Sequence, residues 1–350
     1  MIKRALLIGS LGAFVTPELL ANKQGNTPPP RTKIKIDYPT LGSVERNDPA
    51  VDLLIASDAK IEKLADGFTW SEGPVWVKQG GYLLFSDVPR NAVFKWAEGQ
   101  MAAVEYLKPS GYTGSKARGG EPGSNGLLLD SSGRLVLCQH GDRRVARMEK
   151  DGRFTTLAEY YNWRRFNSPN EAVYRSNGDL YFTDPPYGLE GNIKDPKKEL
   201  RFSGVYRLSK NGHITLLTQE LTFPNGIAFS PDENILYVAV SDPDHAVWMA
   251  YDLNPYGLIS GGRVFFDATS MVKEKKKGLP DGMKVDKAGN LFATGPGGVL
   301  IFSPDGKHLG TINTGEATAN CGWGDDGSML YITANDKLCR IKTKTKGKGF

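Results

Sequence analysis

Six polar residues recur at matched places along this 350-residue chain: Glu72, Asn125, Asn170, Asn225, Asp281 and Asn320. They stand in SEGPVW, SNGL, PNEAV, PNGIAF, PDGMKV and ANCGW, separated by 53, 45, 55, 56 and 39 residues. Two carboxylates and four amides offer hard oxygen acceptors, with the amide NH2 groups as the only donors. Such a set suits a cation that takes six to eight oxygens in flexible geometry, so calcium is expected first. Magnesium is the runner-up, and zinc and manganese are the remaining alternatives. Taken singly, each Asn-Gly or Asp-Gly reads as a turn. Six at equivalent places, one of them a poor turn former (Glu72), read instead as a functional ring.

The elements that must position this ring are short and β-rich. YLLFSDV (82–88), RLVLCQH (134–140), DLYFTDP (179–185), ILYVAVSD (235–242), NLFATGP (290–296) and MLYITAN (329–335) are β-branched and aromatic runs close behind turn residues. Most are followed by a second strand that ends in a hairpin signal such as Lys-Asp-Gly or Pro-Asp-Gly. No long window carries helical periodicity. A block of about 40 to 55 residues repeated six times predicts an all-β fold, a six-bladed β-propeller with four-stranded antiparallel blades around a central channel. One residue at the same place in each innermost strand then falls on a common ring at one channel mouth. The propeller is expected over residues 51–342, and a monomer is the expected state because propellers bury their own edges.

The flanks read differently. Lys3 and Arg4 precede an apolar run from Ala5 to Val15, so residues 1–21 are expected to be a signal peptide. That predicts a periplasmic or secreted protein, or a cytoplasmic one if the leader is not a signal. The apolar run is too short to span a bilayer. Residues 22–50 are expected to be a Pro-rich linker and N-terminal extension, and 343–350 a basic tail. The net charge of +5 gathers largely in KEKKK (273–277) and KTKTKGKG (342–349), without a basic face carrying stacking aromatics, so nucleic-acid binding is not expected. Cys138, Cys321 and Cys339 fit no zinc spacing and read as buried strand residues. Cys321 and Cys339 share the last block and could bridge in an exported protein.

With these motifs in hand, the sequence resembles the gluconolactonase family that includes regucalcin (senescence marker protein), luciferin-regenerating enzyme and bacterial sugar lactonases. The likeness runs from about residue 55 to the end. It rests on SEGPVW around Glu72, SPNEAVYRSNGDLYFTDPPYGL around Asn170, FPNGIAFSPDE around Asn225 and LPDGMKVDKAGNLFATGPGG around Asp281, with GSNGLLLDSSGRLVLCQHGDRRVAR closer to the bacterial branch. It implies a six-bladed propeller, one catalytic divalent cation and lactone hydrolysis. The family's Glu, Asn and Asp ligands map onto Glu72, Asn225 and Asp281, and Asn170 matches a position that binds metal or touches substrate.

A cation can polarise a lactone carbonyl and deliver water. Asp281 is the expected general base, with Glu72 anchoring the metal. Asn125, His140, Asn170 and Tyr187 are expected to face the substrate. Arg143 and Arg144 read as exposed loop residues, and Asp184 as a rim or turn-capping residue. Two other readings stay open: an organophosphate or aryl-ester hydrolase of the diisopropyl fluorophosphatase type, and a non-enzymatic ligand-binding propeller.

Overall fold

The computed structural model describes residues 36–350. The signal-peptide expectation (1–21) and residues 22–35 of the linker lie outside the described residues.

Six antiparallel sheets follow one another along the chain. Blade 1 is built from strands 71–77, 82–87, 92–97 and 104–107, and blade 2 from 124–129, 135–139, 144–148 and 154–158. Blade 3 uses 172–174, 180–184, 204–208 and 214–218; blade 4 uses 224–229, 235–242, 245–253 and 259–267. Blade 5 uses 283–285, 291–295, 298–302 and 308–313. Blade 6 takes three strands from the C-terminal part, 318–324, 329–334 and 337–342, and its fourth from Ile61–Asp66. The first strand of each blade touches the first strand of the next, and blade 6 touches blade 1, so the ring closes. This is the six-bladed propeller that the repeat predicts. Closure through 61–66 joins this strand to the last C-terminal strand in one sheet and leaves no open seam.

The core lies between blades rather than within one. Alternate strand residues face neighbouring sheets, and a group such as Ile61, Phe292, Ile301, Trp323, Ile332 and Ile341 joins blades 5 and 6. Trp76 of blade 1 stacks on Tyr331 of blade 6, their ring centroids 5.4 Å apart.

Three expectations need correction. Residues 40–41 and 43–46, placed in the N-terminal extension, pair as extra outer strands on blades 6 and 5. Residues 343–350 are not a free tail. Lys348 N donates to Val285 O (3.0 Å), Gly347 bridges Asp286, and Phe350 packs on the blade 1–blade 6 core. Finally, Cys321 and Cys339 lie on either side of Ile332, on strands two apart in one sheet. Two strand spacings are about 9–10 Å, beyond disulfide reach. All three cysteines are free and buried.

Candidate metal and substrate site

The segments holding the six polar residues do not behave as turns. In four blades the pairing of the first strand with the second slips at the ring residue: between Glu72 and Val75, Ser124 and Leu127, Pro224 and Ile227, and Thr318 and Asn320. Each slip is a bulge, which frees a residue from the ladder and re-aims its side chain. The glycine that follows serves close packing. A Cβ on Gly73 would sit 2.3 Å from Asn125 O, one on Gly226 2.1 Å from Asp281 O, and one on Gly282 2.1 Å from Asn320 Cγ. Hydroxyls of second strands brace the next blade: Ser86 donates to Asn125 O (2.9 Å), Thr183 to Asn225 O (2.6 Å) and Thr294 to Ala319 O (2.8 Å). Small residues and hydroxyl struts therefore hold six inner strands in mutual contact.

Their side chains converge on a cavity of about 470 Å³ lined by Glu72, Asn125, Asn170, Asn225 and Asp281, with Trp70, Tyr187 and Leu279 among its walls. No Lys or Arg lines it. Glu72, Asn125, Asn170 and Asn225 are buried, and Asp281 is partly open. Asn125 Oδ1, Asn170 Oδ1 and Asp281 Oδ1 are buried without any hydrogen-bond donor. Asn225 spends its Nδ2 on Ser241 Oγ (3.0 Å), which leaves its amide oxygen for the cavity. Buried acceptors without donors are costly, and here they face one another.

The carboxyls feel the same environment. Burial, and secondarily Glu171, push Glu72 up to about 8. Burial and then the Glu72 charge hold Asp281 well above the usual carboxylate range. Neither has an ion-pair partner among the described residues, so the ring lacks the positive charge that its oxygens and carboxylates call for. A hard cation fits this donor set in type and number. Clusters of three or more His, Cys, Asp or Glu in metal-holding geometry are absent among the described residues, because the ring is built mostly from amides.

The remaining predicted residues separate. His140 is fully buried beside the ring, its Nε2 3.4 Å from Asn170 Nδ2 and its Nδ1 3.3 Å from Glu121 Oε2. With the proton on Nδ1, Nε2 accepts from the Asn170 amide and turns Asn170 Oδ1 into the cavity. Tyr187 lines the wall, stacked on Phe223, with its hydroxyl beside Ser241 and Asn225. Asn320 lies beneath the ring: Oδ1 accepts from Cys321 N (2.9 Å), and Nδ2 donates to Glu72 Oε2 (3.2 Å) and Glu171 Oε2 (2.5 Å). Arg143, expected exposed, is buried and donates to the carbonyls of Phe166 (2.7 Å) and Lys197 (3.0 Å). Arg144 is tied to Gln139 Oε1 (2.6 Å) and faces no cavity residue. Asp184 accepts from Asn167 N and Ser168 N, both at 2.8 Å, and so caps a turn.

A sequence profile of the SMP-30/gluconolactonase/LRE-like region matches residues 70–336, which hold the whole ring. The chain belongs to this family. A gluconolactonase of Zymomonas mobilis is 40% identical over 314 residues, 88% of each chain. Regucalcin of Gallus gallus is 26% identical over 293 residues, 81% of this chain and 90% of that one. Among solved structures, a Xanthomonas campestris gluconolactonase superposes with a TM-score of 0.74 at 30% identity, covering 89% of this chain and 99% of its own.

Sequence reasoning missed two carboxylates that the family fold brings in. Glu121, in the loop joining blades 1 and 2, lines the cavity and faces His140. Nothing in its local pattern marks it, since a loop between blades has no repeat position. Glu171 had a signal. The residue after the ring position is glycine in blades 1, 2, 4 and 5, and in blade 3 it is Glu171, which is buried.

Proposed function

We propose that this protein hydrolyses a sugar lactone at the channel mouth, using a divalent cation, calcium first, held by Glu72, Asn170, Asn225 and Asp281. The observation that carries this reading is the convergence of buried, donorless oxygens on a cavity that has room for a small ring. The gluconolactonases at 40% and 30% identity support the substrate class. When bound, the cation supplies Lewis-acid polarisation of the lactone carbonyl and offsets the two ring carboxylates.

The chain's own groups do the rest. Trp70, Tyr187 and Leu279 form the wall against which a lactone ring lies. Asn125 and the Tyr187 hydroxyl supply polar partners for its hydroxyls, while His140, expected to face the substrate, is fully buried outside the cavity and orients Asn170 from behind. Asp281 Oδ1, free of other partners, takes the proton of the attacking water. The carbon–oxygen bond of the ring then breaks, and the same proton passes to the departing alkoxide, so that one water is consumed and a hydroxy acid leaves. Glu72, deeper and bonded to Gly73 N (3.0 Å) and Asn320, is held as a fixed ligand.

The test is activity on glucono-1,5-lactone before and after chelation. Loss with EDTA and recovery with calcium is the expected result. A metal-loaded protein inert toward a panel of lactones overturns the reading. Residues 1–21 support export, and an intact N-terminus on the mature protein by mass spectrometry would count against it.

A further inference from the structure

Glu171 stands where four other blades place glycine, and its side chain enters the channel just below the ring. It is buried, and it has no Lys or Arg ion-pair partner among the described residues. Its Oε2 accepts from Asn320 Nδ2 at 2.5 Å, and the same nitrogen reaches Glu72 Oε2 at 3.2 Å. One amide group thus links a carboxylate of the ring to one outside it. Glu171 also borders a second cavity, about 280 Å³, on the far side of the ring, lined by Trp76, Trp323, Lys284 and Phe350. Lys284, one of the cations lining that cavity, spends its Nζ on Met283 O (3.1 Å).

Glu72 and Asp281 alone match the charge of a divalent cation. The third buried carboxylate is surplus to that balance, and in the cation-free protein it is offset by the Asn320 amide but by no ion pair among the described residues. A surplus negative charge at close range strengthens the hold on any cation above it. The bond to Asn320 also fixes that amide with its nitrogen toward Glu72, which leaves Glu72 Oε1 to point into the ring.

We infer that Glu171 is a positioning residue that tightens cation binding in the ring from outside it, by its charge and through Asn320. The inference rests on the proposed cation site. It predicts opposite effects on two measurements. In calorimetry with calcium chloride, Glu171→Gln weakens binding by about 10- to 100-fold. In EDTA, the same variant melts at or above the wild-type temperature, because Gln still accepts from Asn320 while a buried charge is gone. Equal calcium affinity in Glu171→Gln and wild type overturns the inference. So does a lowered melting temperature in EDTA, which would mark a purely structural role.

Glu171→Asp provides a second arm that needs no neutral variant to fold. It keeps the charge on a shorter side chain, so calcium affinity should stay within about threefold of wild type. A loss as large as that expected for Gln overturns the role of charge. Wild-type protein that binds no calcium would sink the cation site itself, an outcome separate from any that compares the variants.

Discussion

Two sets of buried carboxylates in this molecule have opposite surroundings. Asp87 and Asp184 end the second strands of blades 1 and 3. Each accepts two backbone N–H groups from the segment leading into the first strand: Thr69 N (3.0 Å) and Trp70 N (3.2 Å) for Asp87, Asn167 N and Ser168 N for Asp184. Glu72 is as enclosed and Asp281 only partly open, and both face a set of amide oxygens. The first pair is satisfied by the chain. In the second, Glu72 Oε2 accepts from Gly73 N and Asn320 Nδ2, but Asp281 Oδ1 has no donor. Burial alone raises Asp184 too, to about 7, so an elevated carboxyl does not mark a site here. What marks the site is a set of facing acceptors of which three, Asn125 Oδ1, Asn170 Oδ1 and Asp281 Oδ1, have no donor.

Substitutions can break this contrast. Asp281→Ala should reduce lactone turnover by about 1,000-fold or more, since it removes both a ligand and the base; full activity with calcium present would dismiss Asp281. Glu72→Gln should weaken calcium binding by about 10- to 100-fold in calorimetry while the cation-free protein stays folded. Asp184→Asn should do the reverse. Leaving an N–H unpaired costs about 1–3 kcal/mol of stability in denaturant melts, with calcium affinity unchanged.

A further expected effect is on pH dependence. Glu72 binds its proton up to about 8 in the folded, cation-free protein and only to 4.5 when ordinary. Between those values the folded state holds the extra proton, so stability in EDTA falls as pH rises, by up to about 1.4 kcal/mol per unit for one such group. Below 4.5 this contribution is fully present, and above about 8 it is gone. Saturating calcium should flatten the slope, because the bound cation excludes the proton. A slope that is unchanged by calcium would place the cation away from Glu72.

The contrast was only half legible in the sequence. Glu72, Asn225 and Asp281 could be found because a repeat places them in phase. Asp184 could not be separated from a rim residue, since its role depends on two N–H groups 16 and 17 positions earlier. Arg143 was misread for a related reason: a charged residue in a Gly-Asp-Arg-Arg stretch looks exposed until carbonyls of the segment leading into blade 3 and of a blade 3 loop close over it. Asn-Gly and Asp-Gly were legible as repeats but not as packing devices, because the atom each glycine must avoid belongs to the next blade.

By itself, then, the sequence determined the number of blades, the phase of the ring and the kind of donor gathered there, since these follow from period and residue type. The tertiary structure decided which ring members keep a free oxygen. Asn125, Asn170 and Asp281 do, whereas Asn320 spends its oxygen on Cys321 and its nitrogen on two carboxylates. The physical reason is that a hydrogen-bond acceptor is defined by what its neighbours leave unpaired, and in a closed ring those neighbours are distant in sequence. Closure of blade 6 by Ile61–Asp66 is the same lesson at larger scale: the strand's propensity is local, and its partner lies almost 280 residues away.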